Sequence, residues 1–403
     1  MKKRLLAWLL LMAMLLTVGA VAAAETNPNA GLGYYPGTSE KGWISVECTT
    51  MSKMNPFLQT YSTEFSINRH IWDCLVKLSP EDNSIVPAAA ESWESSEDGM
   101  TWTFHIRPGM KWVNSKGEVI GDVTANDFVY SWQRLANPLT AADYCYMIDM
   151  VQGYAAVNAG EADPTTLGVS APDESTFVVN LTYDCPYFLE ICAFPATFPV
   201  RQDMIEAAGD QWTFDTATYL SNGPYTMTAW NHNSEIIMEP NQYYYDVANL
   251  GPDKITFKLM DDQNAMLSGF NSGELDFIED VPQAEIAGLI ASGDLKIVDY
   301  IGTYYVCYQT QKAPFDNPKV RQAFTLAVDR TYIVNQVTQS GQVEAGGFVP
   351  AGVYDAEGAS GADFRTNGGD YYAPTDADYE ANCELARQLL AEAGYPNGEG
   401  FPV

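Results

Sequence analysis

The sequence predicts a mixed α/β (α+β) fold, because runs that alternate at period 2 are interleaved with amphipathic segments at period 3.6. One stretch carries both signals. From Ala90 to Arg134 the chain reads AESWESSEDGMTWTFHIRPGMKWVNSKGEVIGDVTANDFVYSWQR. Trp102, Phe104 and Ile106 alternate with Thr103, His105 and Arg107 as a half-buried strand does, until Pro108 and Gly109 break the pattern. Thr124 then stands at a helix N-cap with Asp127 three positions on, a variant of the capping box. Ala125, Phe128, Val129, Trp132 and Leu135 share one helical face.

Upstream, Lys2, Lys3 and Arg4 precede an uncharged apolar run from Leu5 to Val18 and the small residues Ala22 to Ala24 before Glu25. This order predicts a signal peptide over residues 1–24, since the run is too short for a membrane-spanning helix. The first cysteine is Cys48, so no lipid-bearing cysteine is expected near the cut. Cleavage would remove 24 residues and three positive charges, leaving 379 residues and taking the net charge from −31 to −34. That length suggests two or three domains, each able to bury a core. So acidic a surface repels phosphate backbones and anionic lipid heads, which argues against nucleic acid as a partner.

Downstream strands are read at Phe177/Val179/Leu181, at Ile255/Phe257/Leu259 and around Tyr304 to Cys307. Asn317 caps a helix with Pro318 at its first position and Val320, Ala323, Phe324, Ala327 and Val328 as its buried face. Thr375 caps another, expected to bury Tyr379, Leu385, Ala386, Leu389, Leu390 and Ala393 before Gly394 and Pro396 end it.

Seven cysteines in an exported chain invite disulfides, yet the count is odd. Cys185 and Cys192, if joined by a helix, lie about 10 Å apart, too far to bridge. No disulfide framework is predicted. The histidines are His70, His105 and His232, and no Cys-x-x-Cys occurs, so neither a metal site nor a cofactor is expected. A secreted hydrolase is the alternative of a different class. The chain has no Gly-x-Ser-x-Gly, Ser-x-x-Lys or His-Glu-x-x-His, and among 52 acidic residues an apparent carboxylate pair means nothing.

The block from Ala90, with its continuation YSWQRLANPLTAADY, resembles the family-5 extracellular solute-binding proteins, and in particular the oligopeptide-binding proteins of ABC importers. Matching stretches follow in the family's order: PYFLEICAFPATFPV, SNGPYTMTAW, EPNQYYYD, FNSGELDF and APFDNPKVRQAFTLAVDR. The resemblance implies a two-lobe periplasmic binding protein-like fold. Lobe I would comprise residues 25–68 and 200–301, a domain over 69–199 would be inserted in it, and lobe II would occupy 302–403. Family members continue past the position of Val403, so lobe II is expected to be incomplete here, with the acidic anchor for the ligand's amino terminus outside the chain.

The same resemblance implies a non-catalytic monomer that takes an oligopeptide between its lobes, closes over it and delivers it to ABC permease subunits in the membrane. Sugar oligomers, dipeptides or nickel complexes are the alternative solutes. Counting back from Met54-Asn55-Pro56 places the backbone-binding strand of lobe I at Thr50, Met51 and Ser52, unless these are an ordinary edge strand. Tyr144 matches a pocket tyrosine, with Tyr146 taking the role if the register slips. Asn222 and Gly223 match a turn whose polar groups face the ligand, although Gly223 also serves as a turn residue. Tyr305 matches an aromatic at the crossover into lobe II, or is a core aromatic beside the hinge. Cys307 and Gly302 depart from some relatives, at an acidic pocket residue and a bridged cysteine.

Overall fold

A computed structural model describes residues 43–48, 54–354 and 361–402. Residues 1–24, read as a signal peptide, and Thr50, Met51 and Ser52 lie outside the described residues. The chain divides into two compact units at Glu279/Asp280.

The first unit runs through β1 (Trp43–Cys48), α1 (Ser62–Ile71), β2 (Val76–Leu78), β3 (Ile85–Pro87), β4 (Ala90–Ser95), β5 (Thr101–Ile106), β6 (Lys111–Val113), β7 (Val119–Asp122) and α2 (Ala125–Ala136). It continues with β8 (Val169–Asp173), β9 (Thr176–Asn180), α3 (Phe188–Cys192), β10 (Tyr225–Asn231), β11 (Glu235–Pro240), β12 (Lys254–Leu259) and α4 (Gln263–Ser272). One four-stranded sheet has the order β1-β12-β11-β10, with β1 parallel to β12 and the other pairs antiparallel. A second, wholly antiparallel, has the order β4-β5-β9-β8. Two hairpins, β2-β3 and β6-β7, complete the strands among the described residues.

The alternation read around Trp102 and Phe177 becomes the paired centre of the second sheet, where Phe104 faces Phe177 across β5 and β9. Helix α2 closes this sheet as its stripe requires. Phe128 and Trp132 are fully buried, with ring centroids 5.8 Å and 5.5 Å from that of Phe177. Its N-terminus is fixed by Asp127, whose carboxylate accepts from the Thr124 amide at 2.8 Å and the Trp112 indole at 3.1 Å. His105 lies on β5 beside Glu94, its Nε2 3.9 Å from the carboxylate. No disulfide joins any two cysteines among the described residues.

The second unit contains α5 (Gln283–Ser292), α6 (Pro318–Leu326) and α7 (Asp376–Glu392). Residues before Gly302, where the resemblance starts lobe II, fold with residues after it. The Gln283 side chain donates to the carbonyls of Gln336 and Val337, and the Ile297 side chain lies over Gly341. The strand expected around Tyr304 to Cys307 is absent. That stretch is without regular structure and Tyr304 is fully exposed, because no neighbouring strand pairs with it among the described residues.

Helix α6 begins at Pro318 with the Asn317 side chain accepting from Lys319 N at 3.0 Å, but it ends at Leu326. Leu326 is therefore buried with Val320 and Ala323, whereas Phe324 and Val328 are exposed. In α7 only Ala386 is buried, and Leu385 points to solvent. Gly394 ends that helix at φ +96°, a value open to glycine.

Candidate functional site

Helix α1 is the common support of the candidate residues in the first unit. Its N-terminus is held by Glu64, whose carboxylate accepts from Thr60 N at 2.8 Å and Tyr61 N at 3.2 Å. Partway along it, Phe65 meets the Tyr144 ring at 5.8 Å between centroids. Tyr144 is half-buried, precedes a short 3-10 turn over Cys145–Ile148, and also packs edge-on against Phe194 at 5.1 Å. Burial raises its phenol pKa, with Tyr146 and Asp143 adding to the shift. Its hydroxyl has no hydrogen-bond partner among the described residues. Tyr146, the alternative, lies 6.0 Å away and is 57% exposed.

At the other end of α1 the chain turns at Ile71, Trp72 and Asp73, and there Asn222 and Gly223 dock. The Asn222 amide is used in both senses: Oδ1 accepts from Asp73 N at 3.1 Å and Nδ2 donates to Asp73 O at 3.3 Å. Gly223 N donates to Ile71 O at 2.8 Å, and a Cβ on Gly223 would stand 2.8 Å from the Ile71 carbonyl. Asn222 is 2% exposed, so the polar groups that the resemblance would turn toward a ligand are engaged inside the unit. The reason is stereochemical: an irregular backbone crossing the interior must have its amides and carbonyls satisfied, and this turn satisfies them.

Asp73 itself was not singled out by any motif. It is buried, its Oδ2 lacks a partner among the described residues, and burial pushes its carboxyl up to about 6 against the pull of Lys77, Tyr245 and Arg107. Lys77 Nζ donates to the hydroxyls of Tyr245 and Tyr244 at 3.2 Å and 3.4 Å, and the Arg107 guanidinium lies 4.2 Å over the Tyr245 ring. The only sequence trace of this cluster was the EPNQYYYD stretch, whose side-chain partners come from distant segments.

Ser45 and Met54, among the described residues on either side of 49–53, are each held by distant partners. Ser45 N donates to Asp276 Oδ2 at 2.8 Å while Asp276 N donates to Ser45 O at 2.7 Å. Beyond the segment, the Tyr219 hydroxyl donates to Met54 O at 2.7 Å. In the second unit Tyr305 is 57% exposed and lies edge-on to Phe348 at 5.0 Å. Among the described residues no group of three His, Cys, Asp or Glu could hold a metal, and no helix is long and apolar enough to cross a membrane.

With this geometry in place, residues 84–402 match the model of bacterial extracellular solute-binding proteins, family 5 middle. The chain belongs to that family. The dipeptide-binding protein DppE of Bacillus subtilis is 34% identical over 322 residues, covering 80% of this chain and 56% of the relative. The periplasmic oligopeptide-binding protein OppA of Salmonella typhimurium is 32% identical over 339 residues, covering 82% and 59%. The crystal structure of Haemophilus influenzae OppA in complex with RPPGFSPFR superposes with a TM-score of 0.77 at 30% identity, covering 89% of this chain and 67% of that one. The chain thus spans less than two thirds of the length of the two curated relatives.

Proposed function

We propose that this chain captures short peptides outside the cytoplasmic membrane and hands them to the permease of an ABC importer. Membership of the solute-binding family carries the reading, together with relatives named for dipeptide and oligopeptide binding. Peptides of differing sequence share only a backbone and its ends, so a receptor that adds the ligand as an extended strand can accept many of them. By the family resemblance, Thr50, Met51 and Ser52 supply that contact. Tyr144 and Tyr305 offer half-open aromatic rings, and Asn222 and Gly223 contribute by fixing the turn that supports α1.

The protein works as a monomer, released into the periplasm or medium after loss of residues 1–24, and binds and releases its ligand without turnover. Titration calorimetry of the chain against a panel of di- to pentapeptides tests the reading. Heat from many peptides is expected, with Tyr144→Ala weakening binding about tenfold while the fold is kept. Binding of a sugar oligomer with no heat from any peptide, or release of cleaved products, would overturn it.

A further inference from the structure

We propose that Phe65, Tyr144 and Phe194 form a three-ring wall that selects an aromatic side chain of the bound peptide, with Phe65 and Phe194 as positioning residues for the Tyr144 ring. This rests on the peptide-capture reading above and goes beyond it, because strand-like backbone recognition by itself is indifferent to side chains.

The rings come from three separate elements: α1, the residue before the 3-10 turn, and the loop after α3. They close a triangle with centroid separations of 5.8 Å, 5.1 Å and 5.5 Å and interplanar angles of 54°, 66° and 60°. Tyr144 and Phe194 meet edge to face and the other two pairs are tilted, so no pair is stacked face on face, in keeping with what aromatic quadrupoles favour. The backbone under two of the rings is pinned. The Thr197 hydroxyl and amide donate to Phe194 O at 2.8 Å and 2.9 Å, and Asp143 N donates to Phe57 O at 3.1 Å. A wall built this way loses little freedom when a ligand arrives.

It is also open. The core rings Phe104, Phe128 and Phe177 are fully buried, whereas Phe65, Tyr144 and Phe194 are each only half-buried and Tyr146 extends the apolar surface outward. The unpartnered Tyr144 hydroxyl adds one polar handle at its rim. The nearby Glu64 carboxylate is engaged by backbone amides at the start of α1 and does not compete for the ligand. A fourth ring fits a cluster of tilted and edge-on rings better than a charged or small side chain does.

Calorimetry with peptides that differ at one position, Ala against Phe, tests this in the full chain. About tenfold tighter binding of the best Phe peptide is expected, and Phe194→Leu and Phe65→Leu should each bring the ratio of Phe-peptide to Ala-peptide affinity close to one. Phe194→Tyr, which keeps the ring, should keep the ratio, whereas a merely structural role would move both peptides' affinities together. Phe65→Leu carries the test where Phe194→Leu fails to fold. An advantage that survives both leucine variants overturns the proposal, as does the lack of any advantage in a chain that binds peptides and weakens on Tyr144→Ala; peptide capture then stands. A chain that binds no peptide at all overturns the capture reading and this inference with it.

Discussion

The first unit packs Ile67, Trp72, Phe104, Phe128, Trp132, Phe177 and Phe188 into one continuous core that reaches from Val46 to Leu259. The second gathers Ala323, Leu326 and Ala386, with Tyr372, Leu389 and Leu390 half-buried around them, and leaves Tyr300, Tyr304, Val306 and Tyr371 largely in solvent. The two have similar raw material in aromatic and branched residues. What separates them is pairing: in the first unit every strand has at least one hydrogen-bonded neighbour in a sheet or hairpin, whereas the stretch from Ile297 to Tyr308 has none among the described residues. Apolar sequence stabilises only where tertiary partners remove it from water.

The largest effect expected from this contrast is on core truncation. Phe177→Ala should cost about 3–5 kcal/mol, and Leu326→Ala about 2 kcal/mol or less because its surroundings collapse more easily. Urea unfolding read by fluorescence, with hydrogen exchange to localise each transition, checks this; exchange should be slow between Trp102 and Leu135 and fast from Gly302 onward. Equal protection in both units would erase the comparison.

Next in size is the turn under α1. Asn222→Ala should cost about 2–3 kcal/mol, since it strands a buried amide and carbonyl of Asp73. Chemical denaturation of the purified variant measures it, and a cost below 0.5 kcal/mol, on the order of an exposed substitution, would show that water replaces the lost bonds.

Asp73 sharpens the comparison through pH. Its carboxyl titrates near 6 when folded against an ordinary 3.8, so the folded state holds the proton more tightly than the unfolded one. Stability from this group is therefore full in acid and is lost as pH rises from about 4 through about 6. Asp73→Asn should stabilise by about 3 kcal/mol at pH 7.5 and by little at pH 4. Thermal unfolding at both values decides it, and a gain that does not change with pH would locate the cause elsewhere. The smallest effect belongs to the exposed Lys319–Glu392 pair at 2.9 Å between α6 and α7. Lys319→Ala should leave the unfolding midpoint unchanged, and a measurable loss would mean that the second unit depends on surface charge for want of a core.

Much of this was legible along the chain where signals are local. The Thr124/Asp127 capping box, the strands through Phe104, Phe177 and Phe257, and the Asn317-Pro318 helix start all depend on residues within a turn of one another. Helix α1 was missed because its N-cap is Tyr61, which lacks the short polar side chain of the usual signal, and its amides are met instead by Glu64. The buried face of α6 was misread at Phe324 and Val328, because periodicity shows that a stripe exists but not whether anything covers it.

By itself the sequence determined the class of fold, the caps and turns, the acidic character and the family, since each is written in residue types at short spacing. Only the tertiary structure decided that Asn222 serves the backbone of Asp73, that Phe65 and Phe194 frame Tyr144, and that the tyrosines near Gly302 stay in solvent. These outcomes depend on which distant segments meet. Contact energies between residues 80 or 150 positions apart, roughly as large as local ones, leave no periodic trace for a sequence to show.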